Sequence, residues 1–264
     1  MKIMLRTRVI TAVLGIPLLL YILYCGGIYW RGLFIIIGII SLSEYHRMMA
    51  HGGFRPLVIP SYLLLLATLF INTYPIWLVP SVFAILVAAT VYMIIRFPGI
   101  TFADVALSLF APLYLGFLMG FALKTAEFTL AFPIILLAFL LTWSSDIGGY
   151  FAGRFWGKHR LAPELSPAKT REGAIGATLL PVFIALVFSQ IIYMGSVNIA
   201  YILLLGLIAG LLAQGGDLFE SALKRYFGVK DSGRIIPGHG GVLDRFDSFM
   251  FVIPWVYYFF MYLV

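Results

Sequence analysis

Long apolar runs alternate with short polar segments along the whole chain. Most runs approach the roughly 20 residues that a helix needs to cross a bilayer. The pattern predicts nine spans, at about 9–25, 32–49, 57–72, 75–96, 100–123, 130–151, 173–194, 197–219 and 242–264. The expected fold class is therefore all-α, a polytopic helical bundle in a membrane with its N-terminus in the cytoplasm.

The composition agrees with a membrane protein. The chain is 62% hydrophobic and 11% charged, and its mean hydropathy is +1.03. Soluble domains carry about 25% charged residues. The 264 residues therefore leave room for a single membrane domain over 1–264 and for no sizeable soluble one. The lone cysteine, Cys25, excludes an intrachain disulfide and any cysteine-cluster metal site.

The net charge of +7 fits this topology. With the N-terminus inside, nine spans place sixteen of the 18 Lys and Arg residues on the cytoplasmic side, and the exceptions are Arg31 and Lys124. This division follows the positive-inside rule. We assign the basic excess to loops and anionic headgroups rather than to nucleic acid, because no basic domain rich in aromatic residues lies outside the spans.

The most polar part of the chain is the segment 221–248, between the last two predicted spans. Asp217, Ser221 and Lys224 lie just before or within it and share one face of a helix. Burying a carboxylate in a bilayer costs about 2.5–3.5 kcal/mol at the centre, so such a group usually faces a partner, a metal or a wet cavity. For Asp217, the alternative is a salt bridge to Lys224 or contact with headgroups.

Two further aspartates, Asp244 and Asp247, are spaced so that a helix starting there points both the same way. Taken alone, they fit helix capping and metal binding equally well. The last two predicted spans are antiparallel, so Asp217 can meet this pair at the cytoplasmic face. Three converging carboxylates indicate a hard-cation site such as one for Mg²⁺, which shares its oxygen ligands with phosphates.

The loop before these aspartates suits an anionic ligand. Gly238, Gly240 and Gly241 allow close approach of the backbone, and His239 among them has a side chain suited to donating to a phosphate. Four cations can neutralise phosphate oxygens: Lys224, Arg225, Lys230 and Arg245. Headgroup attraction explains some of this charge as well.

A second polar segment, 144–173, joins predicted spans six and seven. Asp146 is expected at the same membrane face as Asp217. Donors suited to a phosphate chain follow it: Ser166, Lys169 and Thr170. The glycines of this segment are more simply explained by close helix packing. The segment contains no Walker-type glycine loop.

The residues from Ser221 to Asp247 match the pattern S-x-apolar-K-R-x4-K-D-x-small-x2-apolar-P-x-H-G-G-apolar-x-D-R-apolar-D at every fixed position. In this, the chain closely resembles the family of phosphatidate cytidylyltransferases, also called CDP-diacylglycerol synthases. The second segment is similar to the family's elements D-x-x-A-Y-x-x-G-R-x-x-G-K and S-P-x-K-T-x-E-G, with Gly149 in place of the alanine.

The resemblance implies a Mg²⁺-dependent enzyme of phospholipid biosynthesis that transfers CMP from CTP to phosphatidic acid and releases pyrophosphate. It implies one or two metal ions, the second unidentified, with Asp217, Asp244 and Asp247 as ligands. The implied catalytic residues are Asp217, Lys224, Arg225, Lys230, Asp231, His239, Asp244, Arg245 and Asp247. The implied substrate-binding residues are Asp146, Ser166, Lys169, Thr170, Ser221, Gly240 and Gly241.

The resemblance also implies a homodimer in the inner membrane, with the active site facing the cytoplasm. Residues 1–125 would form the N-terminal helices, and residues 126–264 the catalytic helices with cytoplasmic loops at 152–172 and 224–243.

Two other functions fit parts of the pattern. An ion-coupled transporter would suit the intramembrane Asp146 and Asp217, but the polar residues concentrate on one membrane face and no inverted repeat is visible. A CDP-alcohol phosphatidyltransferase would need the acidic motif D-G-x2-A-R followed by G-x3-D-x3-D, which the sequence around Asp217 and Asp244 does not match.

Overall fold

Helices dominate the structure of the protein. A computed structural model describes residues 2–192, 197–238 and 240–263, with side chains from residue 9 onward. Within these ranges lie nine helices and two short strands. In chain order they are α1 (Lys2–Cys25), α2 (Gly27–His51), α3 (Val58–Phe70), α4 (Pro75–Arg96), α5 (Phe102–Thr125), α6 (Ala131–Trp156), β1 (Arg160–Ala162), β2 (Ser166–Thr170), α7 (Arg171–Ile191), α8 (Ile199–Tyr226) and α9 (Leu243–Leu263).

Each predicted span coincides with one of these helices, which confirms an all-α membrane protein. Seven of the described helices, α2 and α4 to α9, are long and apolar enough to cross a membrane. The apolar part of α1 covers only Val9–Cys25, and α3 has 13 residues. At 1.5 Å per residue, α3 is about 20 Å long, against about 30 Å for a hydrocarbon core. The number of full spans and the orientation of the termini stay predictions.

Two helices run past their predicted ends. Helix α6 continues to Trp156 and α8 to Tyr226, so both predicted loops, 152–172 and 224–243, are shorter than expected. The first of them also holds strands: β1 and β2 form an antiparallel hairpin in which Arg160 pairs with Thr170.

Glu172, in the first turn of α7, fixes the start of this hairpin. Its carboxylate accepts the backbone N–H groups of Lys158 and His159 at 3.0 and 3.3 Å, and it lies 2.6 Å from His159 Nδ1. The backbone N–H of Arg171 also donates to the carbonyl oxygen of His159. The strands are thereby held against the N-terminus of α7.

The chain forms two compact units. Unit 1 comprises Met1–Glu127 and Lys224–Arg245, and unit 2 comprises Phe128–Leu223 and Phe246–Val264. The polar segment 224–245 therefore belongs with the N-terminal helices, although its neighbours in sequence belong to unit 2. That the whole chain acts as one membrane domain stays a prediction.

Unit 1 is built around α3, which packs closely against α5. A β-carbon at Gly116 of α5 would overlap the Thr68 hydroxyl of α3. That hydroxyl donates across the interface to the carbonyl oxygen of Pro112 at 2.8 Å. Helix α2 joins α5 through Trp30, whose indole N–H donates to the carbonyl oxygen of Ala122 at 2.9 Å.

Unit 2 is built around the pair α6 and α7. A β-carbon at Gly148 of α6 would overlap the backbone of Gly176 in α7, so the two helices touch main chain to main chain. Helix α9 packs on α6 through Phe139 and Phe249, whose rings stack at 4.2 Å. This packing brings the polar ends of α6, β2, α7 and α8 to one place.

Candidate active site

Unit 2 contains a cavity of about 330 Å³ whose lining combines charged, polar and apolar residues. It lies where the C-terminal part of α6, the hairpin, the first turns of α7 and the C-terminal part of α8 meet. Four of the predicted site residues line it: Asp146, Lys169, Thr170 and Asp217. The polar segment 144–173 and the residues just before the segment 221–248 therefore contribute to one cavity.

An ion pair crosses this cavity. Lys169 Nζ of β2 lies 2.6 Å from Asp217 Oδ2 of α8, with side-chain exposures of 24% and 36%. The Lys169 Nζ atom is itself shielded from solvent, and beyond the Asp217 carboxylate no hydrogen-bond acceptor is found for it among the described residues. A buried ammonium with unused donors is well suited to bind a further anionic oxygen.

Thr170 has a structural role in the wall of the cavity. Its hydroxyl accepts the backbone N–H of Gly173 at 3.0 Å and so caps the N-terminus of α7. Ser166 stands at the other end of β2, paired with Ala162, and does not line the cavity. Of the predicted donors in this segment, Lys169 is therefore the one presented to a ligand.

Among the cavity residues that were not predicted as site residues are Gln214 and Arg154. Gln214 of α8 donates to Thr178 Oγ1 at 2.9 Å and joins α8 to α7. Arg154 of α6 donates to the Tyr150 hydroxyl at 2.8 Å. Arg154 lies within the polar segment 144–173 and Gln214 three residues before Asp217, and these positions are the sequence signal that could have found them.

In unit 1, Asp244 is the centre of a second polar cluster. Asp244 Oδ1 lies 2.7 Å from Lys224 Nζ. Asp244 Oδ2 accepts three hydrogen bonds, from the Ser232 N–H at 3.0 Å, the Ser232 hydroxyl at 2.9 Å and the Gly241 N–H at 2.9 Å. Asp244 thus ties the loop 232–241 to the end of α8 and does not cap α9.

The cap of α9 comes from a residue that the sequence analysis missed. Glu44, in α2, accepts the backbone N–H groups of Val242 and Leu243 at 3.0 and 2.8 Å. The Ser232 hydroxyl also lies 3.1 Å from Glu44 Oε2, so its one hydrogen is shared between Glu44 and Asp244. A fully buried carboxylate in an apolar helix was the available signal, since such a group needs partners.

The remaining predicted site residues lie at the surface, within α8 and α9, or next to Asp244. Four are exposed at the surface: Arg225, Lys230, Asp231 and Arg245. Ser221 is half-buried in α8, and Gly240 adopts φ +88° beside Asp244, where a β-carbon would lie 2.8 Å from Oδ2. Asp247 is buried in α9, and its Oδ1 accepts the N–H of Ser248 at 2.7 Å. His239 lies outside the described residues.

The aspartates differ in how well they suit a hard cation. Within the described ranges, no group of three or more His, Cys, Asp or Glu side chains is placed as a metal site requires. Asp217 is partly exposed and lines the cavity together with Asp146, so its oxygens suit Mg²⁺. At Asp244, Oδ2 is saturated and Oδ1 is held by Lys224. Metal binding by Asp217, Asp244 and Asp247 stays a prediction.

Comparison with known proteins identifies the family of this chain. Residues 6–263 match the sequence profile of the Cytidylyltransferase family. The chain is 36% identical to a protein of Staphylococcus epidermidis named phosphatidate cytidylyltransferase, over 94% of this chain and 96% of the relative. It is 38% identical, with the same coverage, to a Staphylococcus aureus protein of that name. The match spans both the cavity and the Asp244 cluster, and the chain belongs to the cytidylyltransferase family.

Proposed function

We propose that this protein is a phosphatidate cytidylyltransferase. It transfers CMP from CTP to phosphatidic acid and forms CDP-diacylglycerol and pyrophosphate. The observation that carries the proposal is the cavity of unit 2, which is lined by both the shielded Lys169 ammonium and the Asp217 carboxylate. Relatives of the same length that bear this name support it.

The reaction needs little covalent chemistry from the protein. A phosphate oxygen of phosphatidic acid attacks the α-phosphorus of CTP, and the bond from that phosphorus to the oxygen bridging it to the β-phosphorus breaks. Pyrophosphate leaves with the bonding electrons. Such a transfer depends on positioning and on charge neutralisation. Lys169 supplies both when its unused N–H donors bind a phosphate oxygen while Asp217 holds the ammonium in place.

The carboxylates have a further role. Asp217, together with Asp146, is the best placed to hold Mg²⁺ in the cavity, and Asp244 and Asp247 are the predicted additional ligands. Mg²⁺, when bound, supplies positive charge that stabilises the triphosphate and its leaving group. In unit 1, Asp244 orients the ammonium of Lys224, which is a predicted catalytic residue.

We propose a location in the inner membrane with the site facing the cytoplasm, where CTP is available, and a homodimeric assembly. Long apolar helices make the protein a multi-pass membrane protein. The family match and the names of the relatives favour the transferase over an ion-coupled transporter.

Purified protein in detergent is expected to release pyrophosphate only when CTP, phosphatidic acid and Mg²⁺ are all present. Lipid mass spectrometry should identify the product as CDP-diacylglycerol. Omitting phosphatidic acid, replacing CTP by ATP and adding EDTA are the three controls. A protein that is folded by its melting curve yet makes no CDP-diacylglycerol would rule the proposal out, whereas turnover in EDTA would remove only the metal.

The proposed orientation can be measured by cysteine labelling in intact cells. Ser232 is unsuitable because it is buried, whereas Arg234 and Arg31 are exposed and lie on opposite sides in the predicted topology. With Cys25 replaced by serine, Arg234→Cys should resist a membrane-impermeant maleimide and Arg31→Cys should react. The reverse result would show that the topology is inverted.

A further inference from the structure

Glu44 is a carboxylate that the transfer chemistry does not use. It lies in the membrane helix α2 and has no exposed surface. Burying it costs several kcal/mol unless hydrogen bonds compensate. We propose that Glu44 is a positioning residue of the transferase, which fixes Lys224 and Asp244 through Ser232. This inference rests on the proposed function, because it assigns a role within that reaction.

The first support is the way Glu44 holds α9. The first N–H groups of a helix have no acceptor inside the helix. Here both oxygens of the Glu44 carboxylate take that place, Oε1 for Val242 and Oε2 for Leu243. Because Asp244 follows directly in the chain, Glu44 fixes the position of its backbone.

The second support is that the loop is shaped around this carboxylate. A β-carbon at Gly233 or at Gly241 would overlap Glu44 itself. In the chain, these two glycines stand on either side of residues 234–240. Glycine is therefore needed at both positions, because any side chain there would collide with the Glu44 carboxylate.

The third support is a chain of contacts that leads from Glu44 to the ammonium of Lys224. The Ser232 hydroxyl lies 3.1 Å from Glu44 Oε2 and 2.9 Å from Asp244 Oδ2. Asp244 in turn holds Lys224 through its other oxygen, at 2.7 Å. All four side chains are largely buried, so each restricts the rotamer of the next. An ordinary helix cap would need neither the serine nor the second carboxylate.

Two substitutions separate positioning from stability. Glu44→Gln keeps the shape of the side chain but sets an NH₂ group against one of its donors. Ser232→Ala removes the bridging hydroxyl and leaves the Glu44 cap of α9 intact. Each is expected to lower kcat roughly tenfold, with KM for CTP within about twofold of the parent. Since both act along one chain of contacts, the double variant should be no slower than the slower single one.

Asp104 provides the matched control. It is another buried carboxylate of unit 1 and accepts the backbone N–H groups of Arg55 and Thr101 at 2.7 and 2.8 Å. Asp104→Asn should lower the melting temperature in detergent and leave kcat close to the parent's. It thereby shows what the loss of a structural carboxylate alone does to the assay.

Three results would overturn the inference while leaving the proposed function intact, because the parent enzyme is measured in the same assay. One is a Ser232→Ala variant with the parent's kcat. Another is multiplicative effects of the two substitutions in the double variant. The third is an Asp104→Asn variant that loses as much kcat as Glu44→Gln at an equal loss of melting temperature. If Glu44→Gln does not fold, Ser232→Ala alone decides by its kcat.

Discussion

Replacing Asp217 by asparagine should lower CTP- and phosphatidate-dependent pyrophosphate release by about 10²–10³-fold, as expected when the carboxylate proposed to hold Lys169 and Mg²⁺ at the reacting phosphates loses its charge. Folding should hardly change. The Lys169–Asp217 pair is partly exposed, and such pairs contribute about 0–1 kcal/mol to stability. The measurement is the initial rate across a Mg²⁺ titration, with the melting temperature recorded for each variant.

The chain offers a matched control for this substitution. Lys124 and Glu127 form another ion pair at 2.6 Å with comparable side-chain exposures, 25% and 43%. Glu127→Gln should have the parent's rate at every Mg²⁺ concentration. Lys169→Gln should raise KM for CTP, because the ammonium is expected to bind phosphate. Near-parent rates in both Asp217→Asn and Lys169→Gln would mean that the pair only fastens the hairpin to α8.

The second large effect is expected at Asp244, and it should differ in kind. The Lys224 and Asp244 side chains are only 14% and 6% exposed. Breaking a buried pair by removing one partner costs about 3–5 kcal/mol. An asparagine that keeps its oxygen on the Ser232 and Gly241 donors must turn its NH₂ group toward Lys224. We therefore expect Asp244→Asn to lose both melting temperature and at least about 100-fold in turnover.

A double variant separates the two losses. In Asp244→Asn with Lys224→Gln, the asparagine NH₂ can donate to the glutamine oxygen, so the melting temperature should recover. Turnover should stay low if the Lys224 charge acts on a phosphate. Recovery of both melting temperature and turnover would show that the pair is purely structural. Helix capping by residue 244 cannot explain either result, because Glu44 caps α9.

Hydropathy located the helices well and their ends poorly. Helix α4 has the predicted bounds, Pro75–Arg96, because a proline starts it and a cation closes its last turn. Helices α6 and α8 run on into polar sequence, since hydropathy reports where a bilayer ends rather than where helical hydrogen bonding does. The hairpin went unseen because β1 has three residues and shows no alternation of apolar and polar positions.

The sequence predicted those residues of the candidate site that lie in or directly beside a polar segment. The segment 144–173 contains Asp146 and Lys169, and Asp217 lies just before the segment 221–248. The structure places all three in one cavity. Ser232 lies inside one of these segments but carries no distinguishing pattern of its own. Glu44 was missed because its hydrogen-bond partners lie 188–199 residues further along the chain, and periodicity within a helix says nothing about such pairings.

The distance in sequence between Glu44 and its partners has a consequence for biosynthesis. At about 5–20 residues per second, the 198 residues that separate Glu44 from Val242 take about 10–40 s to translate. During that interval α2 is in the membrane while its carboxylate lacks the hydrogen-bond donors of residues 232–243, at a cost of up to about 2.5–3.5 kcal/mol, the value for a charge at the bilayer centre. Nascent α2 should therefore stay near water or the translocon, and it should adopt its final packing only after α9 has been synthesised.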